Sequence, residues 1–189
     1  MKVEGWEQRY RTETGPPDGT LPGPTPLVER FLSMAQPGTA LDVATGTGRN
    51  AIWLARQSWD VTAVDGASTA IEILKERAVQ SGVSVRTVVA DLEKSEYAIQ
   101  PEAWDAITIC YYLQRDLIEQ AKAGVRPGGL IVVIVHITEG DELPTETRMR
   151  PGELVSYFAG WEVLHQYEGK PNDPEHRRSA AEIVARRPR

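Results

Sequence analysis

An α/β fold on a mostly parallel sheet is what this sequence predicts, and three observations carry the prediction. First, the stretch Gly38-Thr-Ala-Leu-Asp-Val-Ala-Thr-Gly-Thr-Gly-Arg-Asn-Ala-Ile-Trp-Leu54 reads as a short buried strand (40–44), a glycine turn (Gly46, Gly48) and a helix beginning near Arg49. Second, β-rich apolar segments then alternate with helical ones, the rhythm of parallel strands joined by right-handed crossovers. Third, that rhythm breaks at the end. Residues 161–168 and 180–186 are two strands with no helix between them, so they pair as an antiparallel hairpin on the sheet's edge.

Each element follows from its residues. The first 25 or so positions begin with Trp6, Tyr10 and Arg11 and continue into a Pro- and Gly-dense run that supports no regular element. They read as a short aromatic helix and a loop that either frays or folds over something. Residues 26–35 place Leu27, Val28, Phe31 and Leu32 at helical spacing, with Pro26 at the helix start. After the strand–turn–helix, residues 60–65 make a second strand ending at Asp65. Ser68 is placed to cap a helix carrying Ile71, Leu74 and Ala78 that stops at Gly82. Residues 83–90 form a third strand, again ending at an acid, Asp91. Residues 104–110 form a fourth, 116–124 a helix, and Arg126-Pro-Gly-Gly129 a turn feeding a fifth strand over 130–137. A helix over 152–158 precedes the hairpin. One domain is expected, with residues 1–25 as a lid segment, 26–150 as the ligand-binding core and 151–189 as the closing helix and hairpin.

Bulk properties narrow the function. A net charge of −6 argues against a nucleic-acid surface. One cysteine excludes an internal disulfide and a multi-cysteine metal centre, and no two histidines share a ligand spacing, so no metal is expected. The longest apolar run, 130–135, is far short of the ~20 residues that a membrane span needs. With no signal peptide read at the N-terminus, the expected compartment is the cytoplasm. Oligomeric state is not readable.

The glycine turn opens a helix at a strand's carboxyl edge, where open α/β sheets hold ligands on free backbone N–H groups. Two ligands compete for it. Gly46-Thr-Gly48-Arg-Asn-Ala51 fits the dinucleotide fingerprint, with Asp65 near the position of the ribose-binding acid. Three features favour S-adenosylmethionine (SAM) instead. Asp42 lies just ahead of the glycines, where a carboxylate repels a pyrophosphate but accepts from an amino group. Asp65 and Asp91 end successive strands and suit a ligand with hydroxyls and an amino group and no phosphate. The closing hairpin is not the second half of a dinucleotide fold.

Leu41-Asp-Val-Ala-Thr-Gly-Thr-Gly48, Asp65, Ala90-Asp91-Leu92 and Arg126-Pro-Gly-Gly129 resemble, in order and spacing, the motifs of class I SAM-dependent methyltransferases. Trp6…Arg9-Tyr10, Gly48-Arg49-Asn50, Tyr111-Tyr-Leu-Gln-Arg-Asp116 and Leu164-His-Gln-Tyr-Glu-Gly169 resemble, more narrowly, the tellurite-resistance-type small-molecule methyltransferases. The resemblance implies a Rossmann-like single domain with a seven-stranded sheet, order 3-2-1-4-5-7-6, strand seven antiparallel, and helices on both faces. It implies SAM as cofactor and S-adenosyl-L-homocysteine as product. It also implies a cofactor site drawn from Trp6, Tyr10, Asp42, Ala44, Thr45, Gly46, Gly48, Asn50, Asp65, Gly66, Ala90, Asp91, Leu92, Cys110 and Tyr111. Within it Asp42 helps hold the methionyl amino group, Asp65 takes the ribose, and Asp91 with Leu92 frames the adenine. Cys110 and Tyr111 border the methyl. The family's first turn glycine is Ala44 here, for which a slightly tighter turn with retained binding is expected.

The acceptor side is thinner. Trp6 and Tyr10 serve either as packing or as a lid, and Cys110 reads as a small filler. Tyr111, His136 at the end of strand five, and His176 with Arg178 in the loop before strand seven are the candidate catalytic residues. That loop opens on the ligand side if strand six runs parallel to the rest, and its basic groups then suit an anionic acceptor. The reading is methyl transfer to a small soft or anionic acceptor, a thiol or a chalcogen oxyanion. The alternatives are an O- or N-methyltransferase of a small metabolite and a SAM-binding regulatory protein without turnover.

Overall fold

The computed structural model describes residues 2–12 and 22–189. Seven strands make one sheet in the order β3-β2-β1-β4-β5-β7-β6, as the resemblance implies. The chain resolves into two compact units, one ending at Ala98 and the other running Ile99–Arg189.

The first unit holds α1 (Val3–Thr12), α2 (Pro26–Leu32), β1 (Thr39–Val43), α3 (Arg49–Arg56), β2 (Asp60–Asp65), α4 (Ser68–Gln80) and β3 (Arg86–Val89). β1 and β2 pair in parallel with Val43 opposite Val64, and β2 and β3 with Asp65 opposite Val89. β1 and β2 are apolar runs buried nearly throughout, the signature of strands covered on both faces. Leu41, Leu54, Ile71 and Leu74 are wholly buried and make the core, joined by Val28 and Leu32 of α2.

The second unit holds β4 (Trp104–Cys110), α5 (Arg115–Gly124), β5 (Val125–His136), a single helical turn α6 (Glu153–Ser156), β6 (Glu162–Gly169) and β7 (Ala180–Arg186). β4 and β5 are parallel, whereas β7 runs antiparallel to both β5 and β6. β6 therefore runs parallel to β5, and the loop 170–179 leaves the sheet at the end where His136 lies opposite Ala180. The condition set for that loop is met. Ile107, Ile109, Ile118, Ile131, Ile134 and Phe158 fill this unit's core.

Several local expectations are corrected. β3 begins at Arg86 and not at residue 83, and the helix expected over 152–158 is only the turn Glu153–Ser156. Arg126-Pro-Gly-Gly129 lies within β5 and not in a turn ahead of it. Gly128 N–H donates to the Arg187 carbonyl and Arg187 N–H to the Gly129 carbonyl, both at 2.9 Å, so the chain's end pulls the segment into the sheet. Ser68 is the first residue of α4 and not its cap. Ala67 holds the cap position without a side-chain bond.

Candidate functional site

In the first unit, β1 ends in a turn that the sequence bends hard. Ala44, Gly46 and Gly48 all have left-handed backbone, at φ 53°, 56° and 86°. For alanine this conformation costs about 1–2 kcal/mol, so the departure from glycine yields a strained turn, not merely a tighter one. Asp42 is buried and accepts from Thr45 Oγ1 at 2.5 Å. Thr45 N–H donates to the Val64 carbonyl and Gly48 N–H to the Thr45 carbonyl, which locks the turn against β2.

Asp65 closes β2 and ties the two strand ends together. Its carboxylate accepts from Gly46 N–H at 2.8 Å and from Ala67 N–H at 2.9 Å. Burial pushes its pKa up, against the pull of the backbone N–H groups of Ala67, Gly46 and Gly66. Asp91 follows Ala90 and caps the short 3-10 turn Leu92–Lys94, accepting from Glu93 N–H at 3.0 Å and pairing with Lys94 at 2.9 Å. Its hydrogen bond from Lys94 holds it below the usual carboxylate range. Ala90 and Leu92 are buried. Asn50 is committed elsewhere. It is buried, and its Oδ1 accepts from Thr25 N–H at 2.8 Å, which anchors the start of α2.

Helix α1 covers these strand ends. A Cβ on Gly66 would meet Val3 Cγ2 at 2.6 Å, and one on Gly46 would meet Tyr10 Oη at 2.8 Å. The Glu7 carboxylate accepts from Thr69 N–H at 3.2 Å, Thr69 Oγ1 at 2.6 Å and Ser68 Oγ at 3.3 Å. It therefore supplies from another helix the cap that α4 lacks. Trp6 stacks on Tyr10 with ring centroids 6.0 Å apart, and the Arg9 guanidinium lies over Trp6. The donor set fits SAM. Three acceptor-only carboxylates, Asp42, Asp65 and Asp91, suit hydroxyl and amino groups and oppose a pyrophosphate, and two bare glycine positions leave backbone exposed beneath Tyr10 and Val3.

In the second unit the structure brings three candidate residues into one cluster. Cys110 is the half-buried last residue of β4. Tyr111 follows with φ 60°, left-handed for a bulky residue, and its N–H donates to the Ile134 carbonyl at 2.7 Å. Its ring lies face to face with His176, centroids 3.3 Å apart and planes 6° from parallel. His136 lies 5.4 Å from Tyr111 and 5.5 Å from His176. Burial pushes the His136 pKa down, and the nearby charges of Arg178 and Arg148 add to that against Glu139. Its imidazole is neutral at physiological pH.

Arg178 is drawn away from the role expected of it, since it pairs with both oxygens of Glu142 at 2.7 and 3.0 Å. Arg148 binds the same carboxylate. His165 pairs with Glu182 at 3.1 Å on the hairpin, an ordinary packing role. Glu7, Glu139 and Glu142 escaped the sequence reading. Each acts on residues distant in the chain, and a lone glutamate in a polar stretch carries no signal for that.

Residues 40–129 match the family model described as "Methyltransferase domain". Two curated relatives are similar. One is "Hemagglutinin 1" of Eikenella corrodens, 27% identical over 148 residues, covering 75% of this chain and 49% of that protein. The other is a probable S-adenosyl-L-methionine-dependent methyltransferase, TehB, of Haemophilus influenzae, 24% identical over 139 residues, covering 70% and 49%. This chain thus spans about half the length of the curated relatives it matches. The crystal structure of TehB from Haemophilus influenzae superposes with a TM-score of 0.71 at 24% identity, covering 98% of this chain and 66% of that one.

Proposed function

We propose, from the match of residues 40–129 to a methyltransferase domain, that the chain moves a methyl group from SAM to a small soft or anionic acceptor. The observation that carries the reading is the Tyr111–His136–His176 cluster at the carboxyl ends of β4 and β5. Bound SAM supplies an electrophilic methyl on a sulfonium. Asp65 orients the ribose, Asp42 the amino group, and Asp91 with Leu92 the adenine. Tyr111, with Cys110 beside it, presents an apolar wall that excludes water. A thiolate or a chalcogen oxyanion needs no base, so alignment supplies most of the acceleration, up to roughly 7–11 kcal/mol for well-held reactants. The net charge of −6 supports a small molecule over nucleic acid. Residues 2–12, docked over the strand ends, act as a lid, and the two units work as one methyltransferase domain. Among the described residues, no helix is long and apolar enough to cross a membrane.

A protonated acceptor, an amine or an alcohol, is a second reading. It is favoured by the neutral imidazole of His136, which is suited to take a proton.

Titration calorimetry with SAM, S-adenosylhomocysteine and NAD, repeated on Asp65→Ala, tests the cofactor; a screen of thiols, chalcogen oxyanions, amines and alcohols tests the acceptor. Binding of the first two, lost in the variant, with a methylated thiol or oxyanion, is the expected result. Binding of NAD alone overturns the reading. SAM binding with no product from any acceptor points to a regulatory protein.

A further inference from the structure

We propose that Glu139 is a positioning residue for methyl transfer, its carboxylate closing the loop 170–179 so that His176 is held on Tyr111. The inference rests on the acceptor-end reading of Tyr111, His136 and His176. Glu139 Oε1 accepts from Lys170 Nζ at the start of the loop and from Ser179 N–H at its end, both at 2.8 Å. Lys170 Nζ also donates to the Arg177 carbonyl at 2.9 Å. The Glu139 oxygen thus joins the exit of β6 to the entry of β7, and the Lys170 ammonium ties in the interior of the loop. These bonds hold the Glu139 pKa at about 2, so the clasp stays charged across the physiological range.

Inside the clasp the loop has its own fold. Asp173 is buried, its Oδ1 accepts from Glu175 N–H at 3.1 Å, and its carbonyl accepts from His176 N–H at 3.0 Å. That turn aims the His176 ring at Tyr111, and the clasp fixes both ends of the turn. Glu139 itself lies three residues beyond His136, so one short segment carries an aromatic member of the cluster and the group that retains another. The Glu142–Arg178 pair is a second tie on the same loop.

Amide exchange over residues 172–179, SAM affinity and initial rates are measured for the wild type, Glu139→Gln, Glu139→Ala, Lys170→Ala and the double variant. Glu139→Ala is expected to speed loop exchange about tenfold and to lower acceptor kcat/KM by a similar factor, as loss of a charge-assisted hydrogen bond implies. SAM affinity stays within about twofold. Glu139→Gln keeps the oxygen without its charge and falls between. Lys170→Ala adds little in the Glu139→Ala background, because the two residues act as a pair. Wild-type exchange in Glu139→Ala, additive single variants, or a parallel loss of SAM affinity overturns the proposal. Should Glu139→Ala fail to fold, Glu139→Gln and Lys170→Ala decide it. A wild type that binds SAM but methylates nothing defeats the functional reading and Glu139's effect on rate, while loop exchange judges the clasp separately.

Discussion

The Glu7 carboxylate of α1 grips Thr69 at the first turn of α4 through both its backbone N–H and its hydroxyl. A carboxylate at that point satisfies an orphan amide and meets the positive end of the helix, which is worth about 1 kcal/mol for a typical cap. Glu7→Ala should therefore loosen α1, speed tryptic cleavage at Arg9 and Arg11, and weaken SAM binding by about three- to tenfold for a loss of that size. The bond to Thr69 lowers the Glu7 pKa. Docking is then fully present above the ordinary carboxylate range and is lost as pH falls through the lowered value. Amide exchange in α1 followed against pH checks the sign. Unchanged protection in Glu7→Ala would defeat the cap.

Asp65 titrates the other way. Burial raises its pKa, so the fold tolerates its protonated form, while ribose hydroxyls favour the charged one. SAM affinity should strengthen as pH rises through that raised value and then level off. Asp65→Asn should weaken binding by about 10- to 100-fold and flatten the dependence. Calorimetry at several pH values decides it, and a pH-sensitive Asp65→Asn would assign the titration to another group.

The turn after β1 makes opposite predictions at two positions. Ala44→Gly relieves a left-handed alanine and should raise stability by about 1 kcal/mol, or 2–4 °C for a chain of this size, with SAM affinity kept. Gly48→Ala drives a Cβ into Leu74 while straining φ, and should cost about 3 kcal/mol. Thermal unfolding of the two variants separates them. Equal melting points would mean that the turn adapts freely.

His136 has a depressed pKa in the folded chain. The stability tied to its neutral ring is present above the free histidine value and is lost as pH falls from there through the lowered value. If it takes a proton from the acceptor, turnover should show an acid limb below the ordinary histidine range that disappears in His136→Gln. Identical pH profiles would leave His136 with no proton role.

Strand ends were legible where apolar runs stopped at acids, although β3 begins at Arg86 and not at residue 83. β2, β4 and β7 stand where the pattern placed them because burial alone decides them. β5 was misread at its start. Proline and glycines in 126–129 carry a local turn signal, and only the distant Arg187 overrides it. The same distance hid Glu7 as the cap of α4, 62 residues away, and Glu139 as a partner of Ser179, 40 away. Tyr111, His136 and His176 were nameable because strand order placed them at one edge. The face-to-face stacking of Tyr111 and His176 was not, since it depends on how Asp173 folds the loop. Arg178 looked free for an anion only because Glu142 gave no hint of its reach.

The left-handed backbone at Tyr111 sets a direction for laboratory evolution. Selection for heat resistance alone would favour glycine there, since it relaxes the conformation, and would delete the ring on which His176 rests. Selection for turnover would hold the tyrosine and accept the strain. Two libraries grown from this chain under those pressures should take opposite residues at 111, whereas at residue 44 glycine is favoured by one and neutral to the other.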